Sequence, residues 1–138
     1  MFETHLTVAG KVLSELTRHT FPSGEEKMSF RLGARERRFD RDRQEWGDGD
    51  QVVLTVNCWR RVAEGVRLSL AKGDSVVVMG RYFVREYTAS NGERRISNEL
   101  DARAIGPDLA WCSVVVERRG SLAAVSTGTS AEEVVAAA

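Results

Sequence analysis

Residues 54–80, LTVNCWRRVAEGVRLSLAKGDSVVVMG, constrain the fold more than any other part of this chain. Leu54, Val56 and Cys58 alternate with Thr55 and Asn57, which is the period of a strand with one buried face. That parity puts Trp59 on the outer face, beside Thr55 and Asn57. The period then changes: Val62, Val66 and Leu70 recur every fourth residue with Ala63 in the same stripe, and Gly73 is a plausible stop, so a short amphipathic helix is expected. Residues 75–79 are β-branched and apolar on both faces, which predicts a strand deep in a sheet, and Gly80 predicts a sharp bend of the kind a barrel corner needs. A strand, a plug helix and a second strand in this order close one end of a small β-barrel.

The remaining strands follow from the same alternation. Leu6, Val8 and Val12 share a face opposite Glu3, His5, Thr7 and Lys11, with a bend expected at Gly10. A weak extended pattern persists over residues 14–20, and Phe21, Pro22, Ser23 and Gly24 spell a turn. Met28, Phe30 and Leu32 form the apolar row of a second strand whose outer face, Lys27, Ser29 and Arg31, is basic and polar. Tyr82 to Tyr87 continue the strand after Gly80, and Asn91-Gly92 predicts a hairpin. A fifth strand reads through Ile96, Leu100, Ala102 and Ala104, its apolar row interrupted by Asn98, and ends at Gly106-Pro107. Five strands, one helix between the third and fourth, and no βαβ alternation predict an all-β chain with the OB-fold, a Greek-key barrel. Residues 108–119, apolar around Trp111 and Cys112, are expected to add a short extra strand. Residues 120–138 are rich in Ala, Ser, Thr and Gly and are expected to be disordered.

Residues 35–50 show no period and are expected to form a flexible loop. Arg35, Arg37, Arg38, Arg41 and Arg43 alternate there with Phe39 and Trp46, a composition suited to tracking phosphates and offering π-faces to bases. An equally physical reading is a solvated loop that its own acids, from Glu36 to Asp50, nearly neutralise. Trp59 likewise has two readings, a stacking surface or a core residue near the barrel rim. Over the whole chain 20 basic residues balance 20 acidic ones, so net charge argues neither for nucleic acid nor for membrane. No apolar run approaches about eighteen residues and no leader pattern opens the chain, so neither a membrane helix nor a secretory signal is expected, and the cytoplasm is the expected compartment. Cys58 and Cys112 have neither zinc nor redox spacing, and His5 and His19 have no catalytic neighbours. No metal, cofactor or enzymatic chemistry is expected.

The motifs TVAGKV, TFPSGE, RRFDRDRQEW, NCWRRVAEGVRLSLAKGDSVVVMGR, NGERR and AIGP occur in an order and spacing that resembles the bacterial single-stranded DNA-binding proteins, over residues 7–107. The resemblance implies OB-fold subunits, a homotetramer, and binding of single-stranded DNA by aromatic stacking and basic side chains, in replication, recombination, repair or chromosome handling. Position by position it implies stacking at Trp59 and Tyr87, with Phe39 and Trp46 in a loop closing over the strand. Arg31, Arg35, Arg37, Arg38, Arg85, Arg94 and Arg95 would meet phosphates. Trp111 and Cys112 would contact a neighbouring subunit, and Cys112 would either pair with its own copy across a two-fold axis or stay a reduced thiol. Val53 stands where some members carry a further tryptophan. The family's acidic tail with its hydrophobic tip has no counterpart in EEVVAAA, so this looks like a short paralogue and partners recruited through such a tip are not expected. The alternative is an OB-fold interaction module for RNA or protein.

Overall fold

The computed structural model describes residues 2–119, so the disorder expected over residues 120–138 lies outside the described residues. Six strands and one helix follow in the order β1 (Thr4–Val12), β2 (Thr17–Thr20), β3 (Glu26–Asp40), β4 (Glu45–Trp59), α1 (Arg60–Ser69), β5 (Ser75–Thr88) and β6 (Arg94–Pro107). β1 runs antiparallel to β5, β5 to β6 and β3 to β4, while β4 pairs with β6 in parallel. Lys11↔Gly33 and Val12↔Leu32 join β1 to β3 and close the circuit β1-β5-β6-β4-β3. This closed five-strand path, with its helix between the third and fourth barrel strands, is the expected OB-fold.

The sixth strand comes from a break in the first. After Val12 the chain leaves the β5 ladder, Leu13 N–H donates to the Arg31 carbonyl (2.8 Å), and the Arg31 N–H donates to the Ser14 hydroxyl (2.9 Å). β2 then resumes along the same edge of β3, pairing Thr17↔Ser29 to Thr20↔Glu26. At Gly10 a Cβ would lie 2.5 Å from the Gly33 carbonyl oxygen, so the expected bend is a close crossing of β1 over β3 that only glycine allows.

The core is where alternation put it. Met28, Phe30 and Leu32 of β3, Leu54, Val56 and Cys58 of β4, Val76 and Val78 of β5, and Leu100 and Ala102 of β6 are all buried. Ala63 and Val66 of α1 join them, as does Leu70 just past the helix end, so the helix plugs the barrel through its fourfold stripe. Burial raises the Cys58 thiol to about 12, with the nearby Asp101 charge adding to the effect. At pH 8 only about one in 10⁴ such thiols is ionised. Iodoacetamide at that pH is therefore expected to modify Cys58 only after denaturation; peptide mapping that finds Cys58 alkylated in the folded protein would refute the burial.

Three expectations need correction. Residues 35–50 are no loop: β3 and β4 continue as an antiparallel hairpin to Asp40↔Glu45, leaving only residues 41–44 as the turn. Residues 75–79 are not covered on both sides, because Val77 and Met79 point away from the barrel and are exposed. The extra strand over residues 108–119 does not form. Asp108 N–H makes a last bond to the Ser75 carbonyl, Trp111 N–H then turns back onto the Asp108 carbonyl, and this turn carries the chain off the sheet edge before any ladder can start.

Candidate nucleic-acid interface

The outer face of β3 and β4 is a ladder of cross-strand pairs: Lys27↔Trp59, Ser29↔Asn57 and Arg31↔Thr55. β6 lies beside it through Thr55↔Glu99 and Asn57↔Asp101. Because β4 and β6 are parallel, their N-terminal halves leave the same end of the barrel, and with them go both hairpins. One arm carries residues 35–51, the other Tyr87 and Arg95, which are cross-strand partners. Trp59, as the last residue of β4, sits at the opposite end of the face against α1. The expected site residues thus form a path from Trp59 to the two arms, not a single cluster.

At the arm end of the path, Phe39 and Trp46 are directly opposed, with ring centroids 5.4 Å apart and planes tilted by 55°. The Arg37 guanidinium lies 5.9 Å from the Trp46 ring centroid. Tyr87 is exposed and has the Arg85 guanidinium 5.5 Å from its ring centroid. Val53 is half-buried and offers no ring.

The middle of the path is an unusual polar seam. Asn57 and Glu99 are buried although both belong to the outward-facing rows. The Asn57 amide donates to Glu99 (2.8 Å) and Asp101 (3.3 Å), Arg85 Nε donates to the other Glu99 oxygen (2.6 Å), and Arg81 pairs with Asp101 (2.8 Å). Burial alone would raise the Glu99 carboxyl, but hydrogen bonds from Asn57 and Arg85, the Arg85 charge and a bond from Ser97 together hold it below its ordinary value. Glu99 is therefore ionised at neutral pH, and the seam keeps Arg85 beside Tyr87 instead of free in solvent.

The arms also settle how the arginines are engaged. Arg35 meets Asp48 (3.1 Å) and Gln51 (2.6 Å), Arg38 meets Asp50 (2.6 Å), Arg94 meets Glu86 (2.8 Å) and Arg95 meets Glu93 (3.4 Å). These pairs are exposed, worth about 0 to 1 kcal/mol each, so a phosphate can compete for the same guanidinium. Arg31 and Arg37 form no ion pair among the described residues. The acids of residues 35–50 pair with its arginines, and they do so on a hairpin arm that leaves Phe39 and Trp46 exposed.

Two residues escaped the sequence. Phe21, expected only as part of a turn, stacks on Trp59 with centroids 5.6 Å apart and planes within 25°. Lys27 places its ammonium 5.6 Å from the same indole centroid. Both depend on the β2–β3 and β3–β4 registers, which no local pattern reveals. Trp111 and Cys112 lie off the path, exposed in the turn after β6 and just beyond it; Trp111 is 78% exposed.

A family profile described as "Single-strand binding protein family" matches residues 3–108. A single-stranded DNA-binding protein of Corynebacterium glutamicum is 38% identical over 116 residues, 84% of this chain and 52% of that protein, so the chain spans about half that relative's length. One from Paenarthrobacter aurescens is 39% identical over 116 residues, covering 84% of this chain and 68% of its own. Among solved structures, the small single-stranded DNA-binding protein of Streptomyces coelicolor superposes with a TM-score of 0.71 at 37% identity, covering 80% of this chain and 98% of its own. The second single-stranded DNA-binding protein of Mycobacterium smegmatis gives 0.65 at 38% identity, covering 85% of this chain and all (100%) of its own. With the profile spanning every strand and the helix between them, the chain belongs to the single-strand binding protein family.

Proposed function

We propose that this chain binds and protects single-stranded DNA without sequence preference, laying the strand along the path from Trp59 to the two hairpin arms. The observation that carries the reading is that rings stand at both ends of one sheet face, half-buried Trp59 with exposed Phe21 at one end and exposed Phe39, Trp46 and Tyr87 on the arms at the other, with arginines around the arm rings. Rings accept any base by its π-face and guanidinium groups accept any phosphate, so such a path reads polymer chemistry and not sequence. The chemistry is physical binding, with no bond made or broken. Replication, recombination, repair and chromosome handling all generate the substrate.

The same reading includes self-association, as a homotetramer. Val77 and Met79 on the outside of β5, together with Trp111 and Val115 after β6, are apolar and exposed, surface that a subunit contact would cover. Subunit contacts through Trp111 and Cys112 would cover part of it.

Salt dependence tests the phosphate contacts. Log affinity for oligo-dT is expected to fall linearly with log salt, with a slope of about −0.7 per phosphate neutralised. Arg31 and Arg37, which have no ion pair to break among the described residues, are expected to contribute fully, so the Arg31→Ala, Arg37→Ala double variant should flatten the slope by about 1.4. Arg38→Ala should change it less, because Asp50 already neutralises that charge. Affinity that ignores salt, or a preference for oligo-U over oligo-dT in competition, would instead favour a protein- or RNA-binding module.

A further inference from the structure

Phe21 is an aromatic residue that the barrel does not use. It lies outside the core cluster and is 39% exposed. Yet its position is fixed several times over. The Phe21 N–H donates to the Glu25 carbonyl (2.9 Å) and the Gly24 N–H donates to the Phe21 carbonyl (2.8 Å), closing the turn, and Pro22 restricts it further. Glu25 accepts from Arg60 Nε at 3.0 Å. Arg60 directly follows Trp59 and has the positive φ of a sharp reversal (54°), so this ion pair ties the turn to the point where the indole is held. On the other side of the turn Arg18 pairs with Glu26.

The result is a stacked pair of rings, Phe21 on Trp59 with planes within 25°, and the Lys27 ammonium over the indole at 5.6 Å from its centroid. An apolar cover for Trp59 needs no particular orientation. A ring stacked within 25° of the indole plane and still 39% exposed does more, since it extends the column and offers a further π-face to a base. We propose that Phe21 is a base-stacking residue in its own right. Phe21 and Trp59 together form a two-ring platform for neighbouring bases, and Lys27 lies beside it to take the intervening phosphate. The inference rests on the single-stranded DNA reading above and adds a contact to it.

The test combines substitution with crosslinking in the full-length chain. Phe21→Leu keeps an apolar cover over Trp59 but removes the π-face; it is expected to weaken oligo-dT binding about tenfold, and Phe21→Tyr to recover most of the loss. Irradiation of the wild type on bromodeoxyuridine-substituted oligo-dT should attach nucleotide to the tryptic peptide of residues 19–27, which is separate from the one bearing Trp59. Leucine binding as tightly as phenylalanine would overturn the proposal. So would crosslinks confined to Trp59, which would make Phe21 only its cover. A wild-type chain that does not bind oligo-dT at all would sink the single-stranded DNA reading itself.

Discussion

Alanine at both Trp59 and Tyr87 is expected to cost roughly 2 to 6 kcal/mol of affinity for single-stranded DNA, about 1 to 3 from each ring. The estimate treats the two losses as additive because the residues stand at opposite ends of the face, Trp59 against α1 and Tyr87 on the β5–β6 arm, with no shared partner. Neither belongs to the core cluster, so the double variant should keep a cooperative thermal transition. Fluorescence anisotropy of a labelled oligo-dT measures the loss without relying on the tryptophans that have been removed. An affinity within a factor of two of wild type, in a protein that still melts cooperatively, would remove both rings from the site. Single variants add a finer reading. Trp59→Ala also strips Phe21 of the ring it stacks on, so it should lose more than Tyr87→Ala, whose neighbour Arg85 remains anchored to Glu99.

What the sequence made legible was whatever has a buried face. The rows Met28, Phe30, Leu32 and Leu54, Val56, Cys58 alternate because one side of each strand meets the core, and the side assigned to Cys58 and denied to Trp59 is the observed one. Where the barrel ends, the signal ends with it. The β3–β4 arm has solvent on both faces, so nothing imposes period two on residues 35–50, and the hairpin is held by ladder pairs such as Phe39↔Trp46 that no composition encodes. The same boundary explains the interruption at Asn98 in β6. Leu100 and Ala102 are buried, whereas Ile96 is 64% exposed, and Asn98 between them accepts a hydrogen bond from the Tyr82 hydroxyl (2.7 Å) where the strand leaves the core for the arm. Asn57 was illegible for the opposite reason. Parity put it outside correctly, but its burial comes from Glu99 and Asp101 on a strand more than forty residues away. The exposed apolar residues after Pro107 read as a strand because composition records what a segment wants to bury and not whether a sheet edge is there to receive it.

Gly80 is the position where a single methyl group should do most harm. The β5–β6 register shifts between Met79 and Gly80, and a Cβ built on Gly80 would lie 2.0 Å from the Asp101 carbonyl oxygen and 2.8 Å from its carbon. Those are backbone atoms of the neighbouring strand, so no rotamer change can relieve the clash, and the two strands must separate. Gly80→Ala is expected to destabilise the protein by about 3 kcal/mol, the upper part of the usual range for overpacking. Gly47→Ala is the matched control: a Cβ there meets nothing within 4 Å among the described residues, and the change should stay within about 0.5 kcal/mol. Urea denaturation compares them directly, and equal midpoints would show that β5 and β6 tolerate a wider spacing than their register implies. The consequence should reach the site as well. Asp101 holds Arg81 and shares the Asn57 amide with Glu99, which in turn holds Arg85 beside Tyr87. A displaced Asp101 therefore loosens the seam on which the β5–β6 arm is set. Under conditions where Gly80→Ala remains folded, it should still bind oligo-dT more weakly than Gly47→Ala, because the ring at the arm end of the proposed path would no longer be held in place.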